Sequence, residues 1–150
     1  MFQKIQVRRG LRSELPILGA GEIGFCTDTK EVFIGDGAIN IAFANKAQDP
    51  WLTPALLNAW VNFGSGLATC QYMKDSMGFV HLKGLVKNGV IGTVLFTLPV
   101  GYRPAETQHF GTASDNAYGQ TVIYNTGDIF LDRGTNVWVT ISGVTFKAEL

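Results

Sequence analysis

The chain has few of the side chains on which most protein chemistry depends. Two histidines and two cysteines stand among its 150 residues. His81 and His109 have no second imidazole three or four positions away and no adjacent cysteine or aspartate, so the spacing of a zinc site is absent. Cys26 and Cys70 fit no ligand spacing and are expected to be reduced and buried. Charge is thin as well. Asp, Glu, Lys and Arg make up 16% of the chain, twelve basic against twelve acidic. A nucleic-acid surface needs clustered Lys and Arg. The one basic knot is Lys4, Arg8, Arg9 and Arg12, expected to be solvated or ion-paired. No stretch approaches the ~20 apolar residues of a membrane span. Met1-Phe2-Gln3-Lys4-Ile5-Gln6 has no apolar run behind it, so no cleavable signal is expected.

Catalytic and cofactor motifs are missing too. Gly19-Ala20-Gly21-Glu22-Ile23-Gly24 spells the dinucleotide fingerprint, but that fingerprint must follow a strand and open a helix. Here a proline-broken segment, Leu15-Pro16-Ile17-Leu18, precedes it, and Phe25-Cys26-Thr27 continues as strand. Glu22, Asp28 and Asp36 lack the alternate spacing of a calcium loop. No serine sits in a nucleophile elbow, and the carboxylates are scattered over turns rather than paired as in glycosidases. The expectation is a non-enzymatic protein without a cofactor, a metal, nucleic acid or membrane insertion.

What the chain does have is strand and turn vocabulary: 18 glycines, 10 phenylalanines and many Val, Ile and Thr. Gln3 to Arg8 alternates apolar and polar, the period of a half-buried strand ended by Gly10. Glu22 to Thr27 and Glu31 to Ile34 read as a hairpin turning on Asp28-Thr29-Lys30. Gly35-Asp36-Gly37 closes it, and Ile39 to Phe43 adds a short strand. These 43 residues have almost no room for a private core. Below ~40 residues a fold usually needs disulfides, metal or oligomerisation. With one cysteine and no metal cluster, oligomerisation is what remains.

Residues 44–52 pack poorly and read as a linker. Thr53-Pro54 suits a helix start, with Leu56, Leu57 and Trp60 at helical spacing and Gly64-Ser65-Gly66 as the stop. From Ala68 the pattern is strands separated by turns: Thr69 to Met73, Phe79 to Val86, Thr93 to Leu98, Glu106 to Thr112, Gln120 to Tyr124, Ile129 to Asp132, Val137 to Ile141 and Val144 to Glu149. Such spacing points to a β-sandwich, jelly-roll-like. The fold class expected is therefore all-β, with an N-terminal module over 1–43, a linker over 44–52 and a sandwich head over 53–150.

Most aromatics occupy strand positions and belong to a core or a subunit interface. Tyr102 and Tyr118 differ, because both fall in polar, glycine-containing loops. Asp115-Asn116-Ala117-Tyr118-Gly119-Gln120 combines carboxylate, amide and aromatic groups. Sugars are held by planar hydrogen-bonding side chains and by stacking on a ring. Tyr102, Asp115, Asn116 and Tyr118 are thus candidate ligand contacts; a tyrosine packed over a turn is the competing reading.

Arg8-Arg9-Gly10, Leu15-Pro16-Ile17-Leu18, Gly21-Glu22-Ile23-Gly24, Thr27-Asp28-Thr29 and Ile34-Gly35-Asp36-Gly37 together resemble the N-terminal module of bacteriophage tail-fibre and receptor-binding proteins. Trp51 to Glu149 resembles the sandwich heads at the tips of such fibres, through Trp51 to Trp60, His81-Leu82-Lys83-Gly84, Phe96 to Pro104 and Trp138 to Phe146. The resemblance implies a homotrimeric virion protein made in the bacterial host cytoplasm, with an intertwined N-terminal module. Arg8, Arg9, Asp28, Gly35, Asp36 and Gly37 would serve the turns and trimer contacts of that module. Its partners would be sister subunits, other virion proteins and a host-surface glycan. The alternative is a structural virion protein, such as a capsid fibre, decoration protein or assembly adaptor, without a host ligand of its own.

Overall fold

The computed structural model of the chain describes residues 7–44 and 49–149. It is all-β, apart from a single 3-10 turn at Arg12–Glu14. Two compact units divide the chain, Met1–Ala47 and Gln48–Leu150.

The first unit is one four-stranded sheet in the order β1-β2-β3-β4, formed by Arg8–Gly10, Ile23–Cys26, Val32–Gly35 and Asn40–Ala44. The expected strand from Gln3 falls largely outside the described residues; the strand seen starts at Arg8 and pairs in parallel with β2. The hairpin and the fourth strand form as expected, with Ile23 opposite Ile34 and Ile34 opposite Ile41. One face of the sheet is covered by the chain's own irregular segment. Leu18 is packed there against Cys26 and Phe33, with Leu15 beside them. Asn40 holds this cover down: its Oδ1 accepts the Leu18 amide at 2.9 Å and its Nδ2 donates to the Pro16 carbonyl at 2.8 Å.

The opposite face has no cover among the described residues of the unit. Strand alternation puts Ile23 and Phe25, Val32 and Ile34, and Ile41 on it, while Phe43 stands at a bulge in the β3–β4 pairing. Phe43 is 73% exposed, Ile41 51% and Ile23 36%. Val7, Arg9, Ile23, Phe25 and Val32 line an apolar hollow on the same face. The hydrophobic pattern therefore specifies two buried faces, and the described residues supply a lid for one.

The second unit stacks two sheets. Seven strands run in the order β5-β8-β13-β10-β11-β12-β9: Val61–Asn62, Leu85–Lys87, Val139–Thr140, Gln108–Ser114, Ala117–Ile123, Asp128–Arg133 and Thr93–Thr97. Three more, β14-β7-β6, are Thr145–Lys147, Phe79–Lys83 and Gln71–Lys74. Val80, Leu82, Leu95, Phe96, Leu98, Ile123, Ile129, Leu131, Ile141 and Phe146 fill the space between them. Each such side chain contributes ~1.5–3 kcal/mol on burial. At Gly84 one continuous strand leaves the small sheet as β7 and enters the large one as β8. The corner needs φ of +142°, and a side chain there would begin 2.5 Å from the Cys70 Cα.

The expected helical turns after Thr53 do not form. Residues 49–58 instead make a strap across the open side of the sandwich, because two sheet edges compete successfully for their hydrogen bonds. Leu52 exchanges amide and carbonyl with Tyr72 on edge strand β6, at 2.8 and 3.0 Å. Further along, the Leu57 amide donates to Leu95 at 2.9 Å and the Asn58 side chain to the Val94 carbonyl at 2.8 Å, both on edge strand β9. The strap thereby satisfies backbone groups on both sheets that would otherwise be open edges. Of the expected linker, residues 45–48 lie outside the described residues. Asp49 already belongs to the head, its amide donating to Lys74 at 2.9 Å.

Candidate ligand-binding end of the second unit

Asp115 and Asn116 form a two-residue turn, not the open loop expected. Ser114 pairs with Ala117 across it, and Asn116 takes the left-handed conformation at φ 48°. Tyr118 and Gln120 are consequently strand residues. The length of β10 and β11 could have signalled this, since Ala113 and Ser114 continue the alternation that the reading ended at Thr112.

Buried Ser114 ties this turn to the segment at 134–138. Its Oγ accepts the Thr135 amide at 2.7 Å and lies 3.1 Å from the Trp138 carbonyl. The Asp115 amide donates to the same carbonyl at 3.1 Å. Asn88 joins the end through its amide, bonded to the Asn136 carbonyl at 2.8 Å. Three turns thus converge, presenting Asn88, Asp115, Asn116 and Asn136 with exposed Val90 and Val137 between them. Asn88, legible only as a turn residue, and Asn136 are not among the candidate contacts of the sequence, because nothing local says that residues 88, 116 and 136 meet.

Tyr118 stands beside this end and is 66% exposed. Register puts it on the outer face of the sheet with Gln120 and His109. Its ring covers Gly111, lying 3.2 Å from where a β-carbon would be. Gln120 Nε2 and His109 Nδ1 are 3.3 Å apart. An exposed ring flanked by amide, imidazole and carboxylate groups can stack on one sugar face and bond its hydroxyls.

Tyr102 does not join them. Some seven residues of β11 separate the two ends, about 20 Å at the usual rise. Its hydroxyl donates to Asp49, its ring meets Tyr72 edge-on with centroids 5.3 Å apart, and Lys74 Nζ lies 4.7 Å over the ring. The Asp49 hydrogen bond, helped by desolvation, pushes the Tyr102 phenol up to about 12. Tyr102 fastens the strap where the chain enters the unit, so its hydroxyl is already engaged.

The residues singled out in the first unit hold turns together. Arg8 pairs with Glu22 at 2.8 Å, and Glu22 also accepts the Gly19 amide at 2.9 Å. That amide bond and the Arg8 partner hold the Glu22 carboxyl below its ordinary pKa. Asp28 accepts the Arg12 amide at 3.0 Å, while the Arg12 guanidinium roofs Phe33 at 4.4 Å. Asp36 accepts the Ile39 and Ala38 amides, both at 2.7 Å, which lower its pKa and shape the turn through Gly37. Gly35 lies against the Leu18–Gly19 backbone. Arg9 alone points to the uncovered face, at the rim of its hollow.

No helix among the described residues is long and apolar enough to cross a membrane. No curated protein and no solved structure matches the chain. Residues 5–38 match the family model of the major tropism determinant N-terminal domain. All the turn residues just described fall inside that match, which points to a phage receptor-binding protein.

Proposed function

We propose that this chain is a non-enzymatic virion protein that attaches a phage to its host, as a homotrimer whose heads bind a surface glycan. The match of residues 5–38 carries the reading. The uncovered apolar face of the first unit supports the assembly. It carries five apolar side chains in register, Ile23, Phe25, Val32, Ile34 and Ile41, and one arginine at its edge, a composition suited to the same face of sister subunits. Other virion proteins would hold the assembly on the particle. The end bearing Asp115, Asn116 and Tyr118 meets the glycan, and three copies on one body supply avidity that a single shallow site lacks.

Sedimentation of the purified chain and adhesion to host cells test the two halves separately. A trimer that adheres, and that free cell-wall glycan displaces, is the expected result. A trimer that never adheres would instead make the chain a structural virion component.

A further inference from the structure

We propose that the second unit also carries a cleft for a carboxylated sugar, built from Arg103, Tyr72 and the strap. The cleft has a volume of about 460 Å3 and is lined mainly by Pro54, Leu57, Tyr72, Leu98, Pro99 and Arg103. That size lies within the ~300–1,000 Å3 of small-ligand sites. A lone acidic side chain from a neighbouring protein would leave most of it empty, whereas a sugar ring with its substituents fills it.

The walls are fixed before any ligand arrives. The strap is hydrogen-bonded to both sheet edges through Leu52 and Leu57. Pro54 and Pro99 have restricted backbones. The Tyr72 ring is held between Phe96, stacked at 6.0 Å, and Tyr102, edge-on at 5.3 Å. Pro54 and exposed Leu57 offer apolar surface to the C–H face of a pyranose.

Two polar groups that line this cleft have a donor without a protein acceptor among the described residues and are open to a ligand. Arg103 spends its Nε on the Leu98 carbonyl at 2.9 Å, which sets the plane of the guanidinium. Among the described residues it pairs with no carboxylate. The other charged groups of this end are engaged elsewhere. Asp128 accepts the Thr97 and Thr126 hydroxyls at 2.6 and 3.0 Å, and Glu149 accepts the Ala105 amide at 3.4 Å. Asp49 takes the Tyr102 hydroxyl, and Lys74 Nζ donates to the Gly101 carbonyl at 2.9 Å. Tyr72 is only 9% exposed, and its hydroxyl donates no hydrogen bond among the described residues. Burial raises its pKa, so it remains a donor at neutral pH. A guanidinium and a phenol on a rigid apolar cleft fit a carboxylate carried on a ring: the planar fork grips the carboxylate. A neutral sugar offers the fork only hydroxyl acceptors, without the charge that makes a carboxylate bond shorter and stronger.

This cleft and the Tyr118 end occupy opposite ends of the unit, so either can fail without the other. The test titrates the full chain with galacturonic acid and with galactose, its neutral counterpart, by calorimetry and by chemical-shift mapping. Galacturonic acid should bind, galactose about tenfold or more weakly, and affinity should fall with added salt. Tyr72→Phe keeps the ring packing and should lose several-fold in affinity. Arg103→Gln should lose more, with its melting followed alongside because it also gives up the Leu98 bond. Tyr118→Ala should bind galacturonic acid like the parent. Equal binding of galactose, no binding of the acid at millimolar concentration, undiminished affinity in Tyr72→Phe, or loss in Tyr118→Ala would overturn the proposal.

Discussion

Replacing Gly35 with alanine should unfold the first unit while leaving the second intact. A β-carbon at this position would stand 2.4 Å from the carbonyl oxygens of both Leu18 and Gly19 and 2.5 Å from the Leu18 β-carbon. These neighbours are backbone or next to it, so no flexible side chain can swing aside. The covering segment would have to lift, taking the Leu18 side chain from its place and breaking the Gly21-to-Gly35 and Gly35-to-Glu22 backbone bonds. Overpacking of this kind costs about 3 kcal/mol. Among the described residues, the enclosed apolar side chains of the unit are Leu18, Cys26 and Phe33. At ~1.5–3 kcal/mol for a large apolar side chain, their burial offers a gross gain of only a few times that cost, before chain entropy is charged against it. Hydrogen exchange resolved by segment reads the outcome. Amides of residues 23–44 should lose protection, those of residues 71–147 should keep it, and the sedimenting species should fall to a monomer. A Gly35→Ala protein that keeps both its protection and its assembly would refute the account of how this unit is held together.

Tyr118→Ala should weaken host-cell adhesion without shifting the melting temperature, because the ring is exposed; unchanged adhesion in a folded variant would remove this end from the receptor contact. In an ultraviolet titration Tyr102 should ionise at about 12, and Asp49→Asn should bring it back toward the ordinary ~10. The folded-state pKa is raised, so this contact stabilises the head fully below pH ~10 and is lost as pH climbs toward the folded value. Amide bonds, with the Arg8 partner for Glu22, hold the carboxyls of Glu22 and Asp36 below their ordinary values, and His81 Nε2, 3.0 Å from Asp75 Oδ2, does the same for Asp75 together with the Phe79 amide. Their contribution is present above the unfolded pKa of ~4 and disappears as pH falls through the lower folded values. Acid melts should therefore show a loss of stability that is blunted in Asp36→Asn.

Much of the architecture was legible locally. Strand alternation and turn chemistry around Asp28 and Asp36 need only neighbours within a few residues, so the hairpins of the first unit emerged close to their true limits. The dearth of enclosed side chains before residue 44 was equally visible, since a count of apolar residues requires no coordinates. The errors arose where hydrogen bonds cross the chain. Thr53 to Trp60 has helical spacing, yet Leu52 just before it pairs with the edge of β6 and Leu57 within it bonds the edge of β9, partners that no local window contains. Tyr102 and Tyr118 looked alike as loop aromatics. Asp49, fifty-three positions away from Tyr102, separates their fates.

Local periodicity thus determined that the chain is built from short strands and that its first unit carries more apolar surface than it can cover. Tertiary structure alone decided which turns share an end, which face stays open and which charged groups remain unpaired. The physical reason is that a strand's pattern prescribes the faces it must bury, while the partner for each face and edge is chosen by long-range pairing between segments far apart in the chain.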